Sequence, residues 1–115
     1  MKLICYKKCT TCKGVEKILQ DTNIDYEYRN IDTENPTEVE LKEWHEKSGL
    51  DIKRFFNTSG TIYRENNIKD KLNDMTMDEK YELLSTNGML VKRPILFDGD
   101  EIFIGPDVKK HLQEK

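Results

Sequence analysis

The sequence predicts a mixed α/β fold in which a β-α-β unit and a β-β-α unit share one mixed four-stranded sheet, with a helical insertion between the two halves. Three observations carry this. Two short apolar runs flank a helix-period segment near the N-terminus. An Asp-Gly pair separates two apolar runs near the C-terminus. The residues between them carry helix caps rather than strand alternation.

Residues 3–6, Leu3-Ile4-Cys5-Tyr6, form an apolar run that stops at Lys7-Lys8, and read as a buried strand. Val15, Ile18 and Leu19 recur at helical spacing up to Asp21-Thr22-Asn23, so a helix begins at or just after Cys9. Residues 25–31, with Tyr26, Tyr28 and Ile31, read as a second strand. A β-α-β unit implies parallel pairing and a right-handed crossover. Asn35-Pro36-Thr37-Glu38 then signals a helix start, with Asn35 as cap, Pro36 in the first helical position and Glu38 completing a capping box. Val39, Leu41 and Trp44 give that helix an apolar side, and Gly49 ends it. Residues 50–56 predict a further short helix, Thr58-Ser59-Gly60 a turn, and residues 66–72 a weak helix. Thr76 and Glu79 form a second capping box ahead of Tyr81 and Leu84, with Gly88 as the stop.

Residues 94–97 and 101–104 flank Asp98-Gly99-Asp100 and predict an antiparallel hairpin, with Pro94 opening its first strand. Gly105-Pro106-Asp107 opens a last helix carrying Val108 and Leu112 on one face. This order is the thioredoxin topology with an enlarged helical segment, about residues 35–90, within one domain spanning residues 1–115. It sets Cys9 and Cys12 just beyond a parallel strand, at a helix N-terminus.

Composition narrows the function. Hydrophobic and charged residues each make up 36%, which suits one small core under a heavily charged surface. A net charge of −3 gives no electrostatic footprint for nucleic acid or an anionic membrane. No apolar stretch approaches the roughly 20 residues that span a bilayer, and the N-terminus turns polar too quickly for a signal peptide. The expected location is therefore cytoplasmic. Three cysteines, two of them three apart, point in a reducing compartment to catalysis or metal rather than a disulfide framework.

A nucleophilic cysteine reacts as thiolate; a free thiol has a pKa of about 8.5, and a helix N-terminus or nearby cation lowers it. Cys9 is placed at such a terminus, flanked by Lys8 and Lys13, whose exposed charges add little. Cys12 falls one helical turn later, within reach of the Cys9 sulfur but more buried, a place for a resolving thiol. A zinc site needs four ligands, and beyond the pair there are only Cys5, His45 and His111, scattered singly. No metal is expected. Cys5, inside an apolar strand, is expected to be buried and inert, and the two histidines to lie on helix surfaces. Taken by base rate, the Arg93–Pro94 bond is trans and Arg93 a surface charge.

Cys9-Thr10-Thr11-Cys12-Lys13, Phe55-Phe56-Asn57-Thr58-Ser59-Gly60, Tyr63-Arg64 and Lys92-Arg93-Pro94 together resemble the arsenate-reductase-like (ArsC/Spx) family, in order and over nearly the whole chain. The resemblance implies a thioredoxin-like fold with a helical insertion (ArsC-like), Cys9 as the redox nucleophile, Pro94 as a cis-proline facing it, and Arg93 close to the thiol, where it stabilises the thiolate and holds an anionic group. Glutaredoxin-linked arsenate reductases of the family bind their oxyanion with three arginines. Those positions hold Asn57, Arg93 and Gly105 here. Losing two charge-assisted bonds worth about 1.5–3 kcal/mol each argues against arsenate as substrate. A second cysteine at Cys12 resembles the Spx branch, whose members carry a redox-switch Cys-x-x-Cys and bind the RNA polymerase α-subunit.

The expectation is therefore a thiol–disulfide oxidoreductase with Cys9, Cys12 and Arg93 as catalytic residues and Lys8, Thr10, Thr11, Lys13, Asn57, Arg93 and Pro94 as substrate-binding residues. It has no resident cofactor and draws electrons from glutathione, glutaredoxin or thioredoxin. The alternatives are a redox-switch regulator that binds the RNA polymerase α-subunit and a glutaredoxin-dependent arsenate reductase acting through Cys9. Neither direct nucleic-acid binding nor a membrane partner is expected.

Overall fold

In the computed structural model of the chain, strand β1 (Lys2–Cys5) lies inside the sheet because it has nothing to present to water: Leu3, Ile4 and Cys5 are all fully buried. It pairs in parallel with β2 (Glu27–Asn30), Cys5 opposite Asn30, and antiparallel with β3 (Ile95–Asp98), Leu3 opposite Leu96. With β4 (Glu101–Ile104) the order is β2-β1-β3-β4. The parallel pair needs a crossover, which helix α1 (Thr10–Asp21) supplies. The antiparallel pair needs only the loop Gly99-Asp100 between the paired Asp98 and Glu101, and Gly99 takes the positive φ of +62° that this tight turn demands.

Strand alternation decides what covers the sheet. Leu3, Cys5 and Leu96 share one face, and on it pack Cys12, Val15 and Leu19 of α1 with Val108 and Leu112 of α6 (Pro106–Gln113). A helix of 12 residues is marginal alone. Burying each apolar side chain is worth roughly 1.5–3 kcal/mol, so the inward stripe of α1 holds it in place. His111 ties the end of α6 to the hairpin: its Nε2 lies 2.9 Å from Asp98 Oδ2, and its ring stacks on Phe103 at 3.8 Å.

The structure describes residues 1–114. The sheet, α1 and α6 form one unit, residues 1–30 with 93 onward, and Ile31–Lys92 form a second. The second unit holds α2 (Glu38–Ser48), a 3₁₀ turn Ile52–Phe55, α3 (Thr61–Glu65), α4 (Ile68–Leu72), α5 (Met77–Ser85) and a 3₁₀ turn Gly88–Leu90. Helices α2 and α5 pack on each other, and His45 Nδ1 shares a 2.6 Å hydrogen bond with the Tyr81 hydroxyl.

Several sequence expectations are corrected here. The first capping box lies two residues further on, at Thr37 and Glu40, and not at Asn35 and Glu38. Pro36 holds the residue before it extended, and the Asn35 amide instead donates to the Ser85 carbonyl. The second box, Thr76 with Glu79, forms as expected, as does the left-handed Gly49 that ends α2 (φ +67°). Strand β2 is shorter than residues 25–31: the Tyr26 hydroxyl donates to Glu16 at 3.2 Å instead. Residues 50–56 give a 3₁₀ turn, and α3 was not foreseen. Gly88 is not a helix stop, since α5 ends at Ser85. It is required because a Cβ there would sit 1.8 Å from the Ile31 carbonyl oxygen. Strand β3 begins after Pro94, at Ile95, and Arg93–Pro94 is cis, as the family resemblance implies and the base rate does not. His45 and His111 are half-buried packing residues rather than surface ones. Among the described residues, no helix is long and apolar enough to cross a membrane.

Gly88→Ala should cost on the order of 3 kcal/mol, because backbone must move to admit the methyl group. Gly14→Ala, in the interior of α1 with nothing within 4 Å of the added carbon, should stabilise by about 0.5–1 kcal/mol. Urea unfolding of the two variants checks both signs.

Candidate functional site

The chain reverses between β1 and α1 through a turn in which the Cys9 N–H donates to the Tyr6 carbonyl at 3.0 Å. Cys9 is the N-cap of α1 with extended backbone (φ −83°, ψ 123°), and its side chain makes no capping bond. It is half-buried, whereas Cys12 one turn later is fully buried. Cys5, Cys9 and Cys12 are all free thiols. They occupy one place: Cys5 and Cys12 belong to the same apolar cluster, and Cys9 packs against it.

The sequence reading located thiolate stabilisation at Cys9 through the helix terminus. The structure gathers it on Cys12. The neighbouring Cys5 side chain favours its thiolate most, followed by the Tyr6 backbone N–H, the Cys9 side chain and the positive charge of Arg93. These outweigh the cost of burial and bring the Cys12 thiol from 9.0 to about 7. Cys5 moves the opposite way. Its neighbour Cys12 and its apolar surroundings push its thiol far up, and the nearby Cys12, Glu16 and Cys9 charges push it further. Its inertness towards ionisation matches expectation.

Arg93 is half-buried, with its guanidinium carbon 5.1 Å from the Tyr6 ring centroid. Its Nε and Nη1 are buried and have no hydrogen-bond partner among the described residues. Buried donors on a cation carry a desolvation cost that an anionic group would relieve. The structure thus lifts Arg93 out of the class of surface charges.

The other predicted site residues divide. Lys8, Thr10, Thr11 and Lys13 are exposed at the Cys9 end of α1. The lysine engaged there is Lys7, 3.8 Å above the Tyr28 ring centroid and 3.6 Å from Glu16 Oε1. Pro94 is buried, and its carbonyl accepts the Gly105 N–H at 2.8 Å. Gly105 itself sits at φ 62°, ψ −130°, a backbone region that side chains avoid. Asn57 belongs to the second unit, where its backbone N–H donates to the Leu90 carbonyl at 2.8 Å and its amide to the Met89 carbonyl at 3.4 Å. It braces a loop there. No group of three or more His, Cys, Asp or Glu that could hold a metal occurs among the described residues.

Two residues escaped the sequence reading. Tyr6 provides the carbonyl of the turn and a shelf for Arg93, and only its position at the strand end hinted at this. Cys5 could have been found by parity, because it shares a strand face with Leu3 and that face must meet the helix that follows.

Cys12 should titrate through about pH 7 in the folded chain, seen as ultraviolet thiolate absorbance that Cys12→Ser removes. Between about pH 7 and 9 the folded state then binds fewer protons at Cys12 than the unfolded state, so this group makes stability rise with pH and its contribution is lost as pH falls through 7. Denaturation midpoints of wild type and Cys12→Ser across that window should diverge; parallel curves would contradict it.

Known proteins of related sequence and fold identify the family. The chain is 47% identical over 100 residues to the uncharacterised protein YusI of Bacillus subtilis, covering 87% of this chain and 85% of that one. It is 30% identical over 100 residues to the regulatory protein MgsR of the same organism, covering 87% and 78%. A crystal structure from Bacteroides fragilis, described as ArsC family related, superposes with a TM-score of 0.88 at 42% identity over 96% of this chain and 95% of the other. The ArsC family model matches residues 5–113, from the last residue of β1 to the end of α6, and the chain belongs to the ArsC family.

Proposed function

We propose that the chain is a thiol–disulfide oxidoreductase in which exposure and acidity are divided between two cysteines. The observation that supports it is the pair itself: a half-buried Cys9 one helical turn ahead of a fully buried Cys12 whose thiol is lowered to about 7. Cys12 cannot meet a bulky substrate, but it can take the Cys9 proton. Cys9 thiolate then attacks a disulfide, forming a mixed disulfide and releasing one thiolate. Cys12, deprotonated again, attacks the Cys9 sulfur, releases the second thiolate and closes Cys9–Cys12. The substrate gains two electrons and the protein loses them. A reductant of the glutathione, glutaredoxin or thioredoxin class, as in the cytoplasm, returns them.

The idle Nε and Nη1 of Arg93 suit an anionic group on the incoming thiol compound, such as a glutathione carboxylate. Lys8, Thr10, Thr11 and Lys13 form the exposed rim. Arsenate is the weaker candidate, since Asn57 and Gly105 stand where the family's oxyanion arginines fall. A second reading, favoured by the 30% identity to a regulatory protein, makes the same disulfide a conformational switch controlling binding to the RNA polymerase α-subunit.

Mild oxidation should give a Cys9–Cys12 disulfide by peptide mapping. Cys9→Ser should abolish turnover, and Cys12→Ser should accumulate a glutathione adduct on Cys9. Arg93→Gln should slow reaction with glutathione disulfide about tenfold or more, the loss of one charge-assisted bond. Failure to form the disulfide, or full arsenate turnover by Cys12→Ser with glutaredoxin, would overturn the reading. Redox-dependent capture of the polymerase α-subunit domain would favour the switch.

A further inference from the structure

We propose that Tyr6 is a positioning residue that sets the preference of this site for anionic thiol compounds: its ring holds the Arg93 guanidinium while its carbonyl holds Cys9. One residue thereby joins the anion-holding group to the nucleophile. The inference rests on the reading of Cys9 as the attacking thiol and adds the group that selects its partner.

The pairing of β1 with β3 sets the two residues side by side. Ile4 lies opposite Ile95 in that antiparallel register. Carried two places further, the same register sets Cys5 opposite Pro94 and Tyr6 opposite Arg93. Pro94 has no N–H to continue the ladder, and β3 begins at Ile95. Beyond the ladder the two segments meet through side chains. The guanidinium carbon of Arg93 lies over the Tyr6 ring, 5.1 Å from its centroid, within cation–π reach. Both residues are half-buried.

The contact bears on binding in two ways. A free arginine side chain has many rotamers, and a ligand that needs it must first order it. A ring against the guanidinium removes much of that freedom before any ligand arrives. The ring also covers part of the cation from water. Nε and Nη1 are left buried with no hydrogen-bond partner among the described residues, so an acceptor that reaches them meets little competition from solvent. An uncharged thiol compound gains nothing from either effect. On the other side of Tyr6, its carbonyl accepts the Cys9 N–H at 3.0 Å and closes the turn that carries the nucleophile. Ring and carbonyl belong to one residue, so the cation and the thiol are referred to the same point of the fold.

The test follows a single oxidation of the reduced full chain by glutathione disulfide, which is anionic, and by 2-hydroxyethyl disulfide, which is uncharged. The readout is the ratio of the two second-order rates, so a general change in Cys9 cancels. Tyr6→Leu should lower the preference for glutathione disulfide about three- to tenfold, the cost of ordering one long side chain, through the half-saturating concentration rather than the limiting rate. Tyr6→Phe keeps the ring and should keep the preference. With Arg93→Gln already in place, Tyr6→Leu should lower it no further. Should the leucine variant not fold, Tyr6→Met takes its place. An unchanged ratio in Tyr6→Leu would overturn the proposal, as would equal falls in Leu and Phe, or the same fall with and without Arg93. If wild type reacts with neither disulfide, the oxidoreductase reading fails. Calorimetric binding of the unreactive S-methylglutathione to the same variants then decides the proposal: weaker binding to Leu than to Phe supports it, and equal or absent binding ends it.

Discussion

A sulfur atom sealed from water must find its hydrogen bonds within the protein, and the arrangement around Cys12 follows from that constraint. Its surroundings come from the strand end, the turn and the helix cap, three consecutive pieces of chain that a single N–H bond from Cys9 to the Tyr6 carbonyl folds onto one another. The same turn leaves Cys9 at the rim, where a partner can reach it. Accessibility and acidity thus fall on neighbouring residues for one geometric reason. Arg93 arrives from the far side of the sequence, just ahead of the strand that pairs with β1, and its charge is the one long-range contribution.

Much of this was legible in the residues because it is local. The capping box at Thr76, the loop after Asp98, the left-handed Gly49 and the inward faces of α1 and α6 are set by short-range chemistry, and they form as read. The first capping box was legible but ambiguous: Asn35 and Thr37 each have a glutamate three residues on, and only the packing of Asn35 against Ser85 separates them. Helix α3 is five residues long and carries no cap signal, so nothing local announces it.

The site was legible in its members and not in its balance. Spacing alone pairs Cys9 with Cys12, and Arg93 entered only through family resemblance. What spacing cannot express is which sulfur is sealed among its neighbours, because that depends on a strand face and a turn meeting a helix stripe. Cys5 looked inert for a sound reason, its burial, and it is fully buried.

Gly105 bears on how such a chain can change over time. Its backbone, at φ 62° and ψ −130°, hands an N–H to the Pro94 carbonyl and starts α6. An arginine introduced there would have to re-form the entry to the helix before its guanidinium could be of use. The first mutational step towards a three-arginine anion cradle therefore loses stability before it gains affinity.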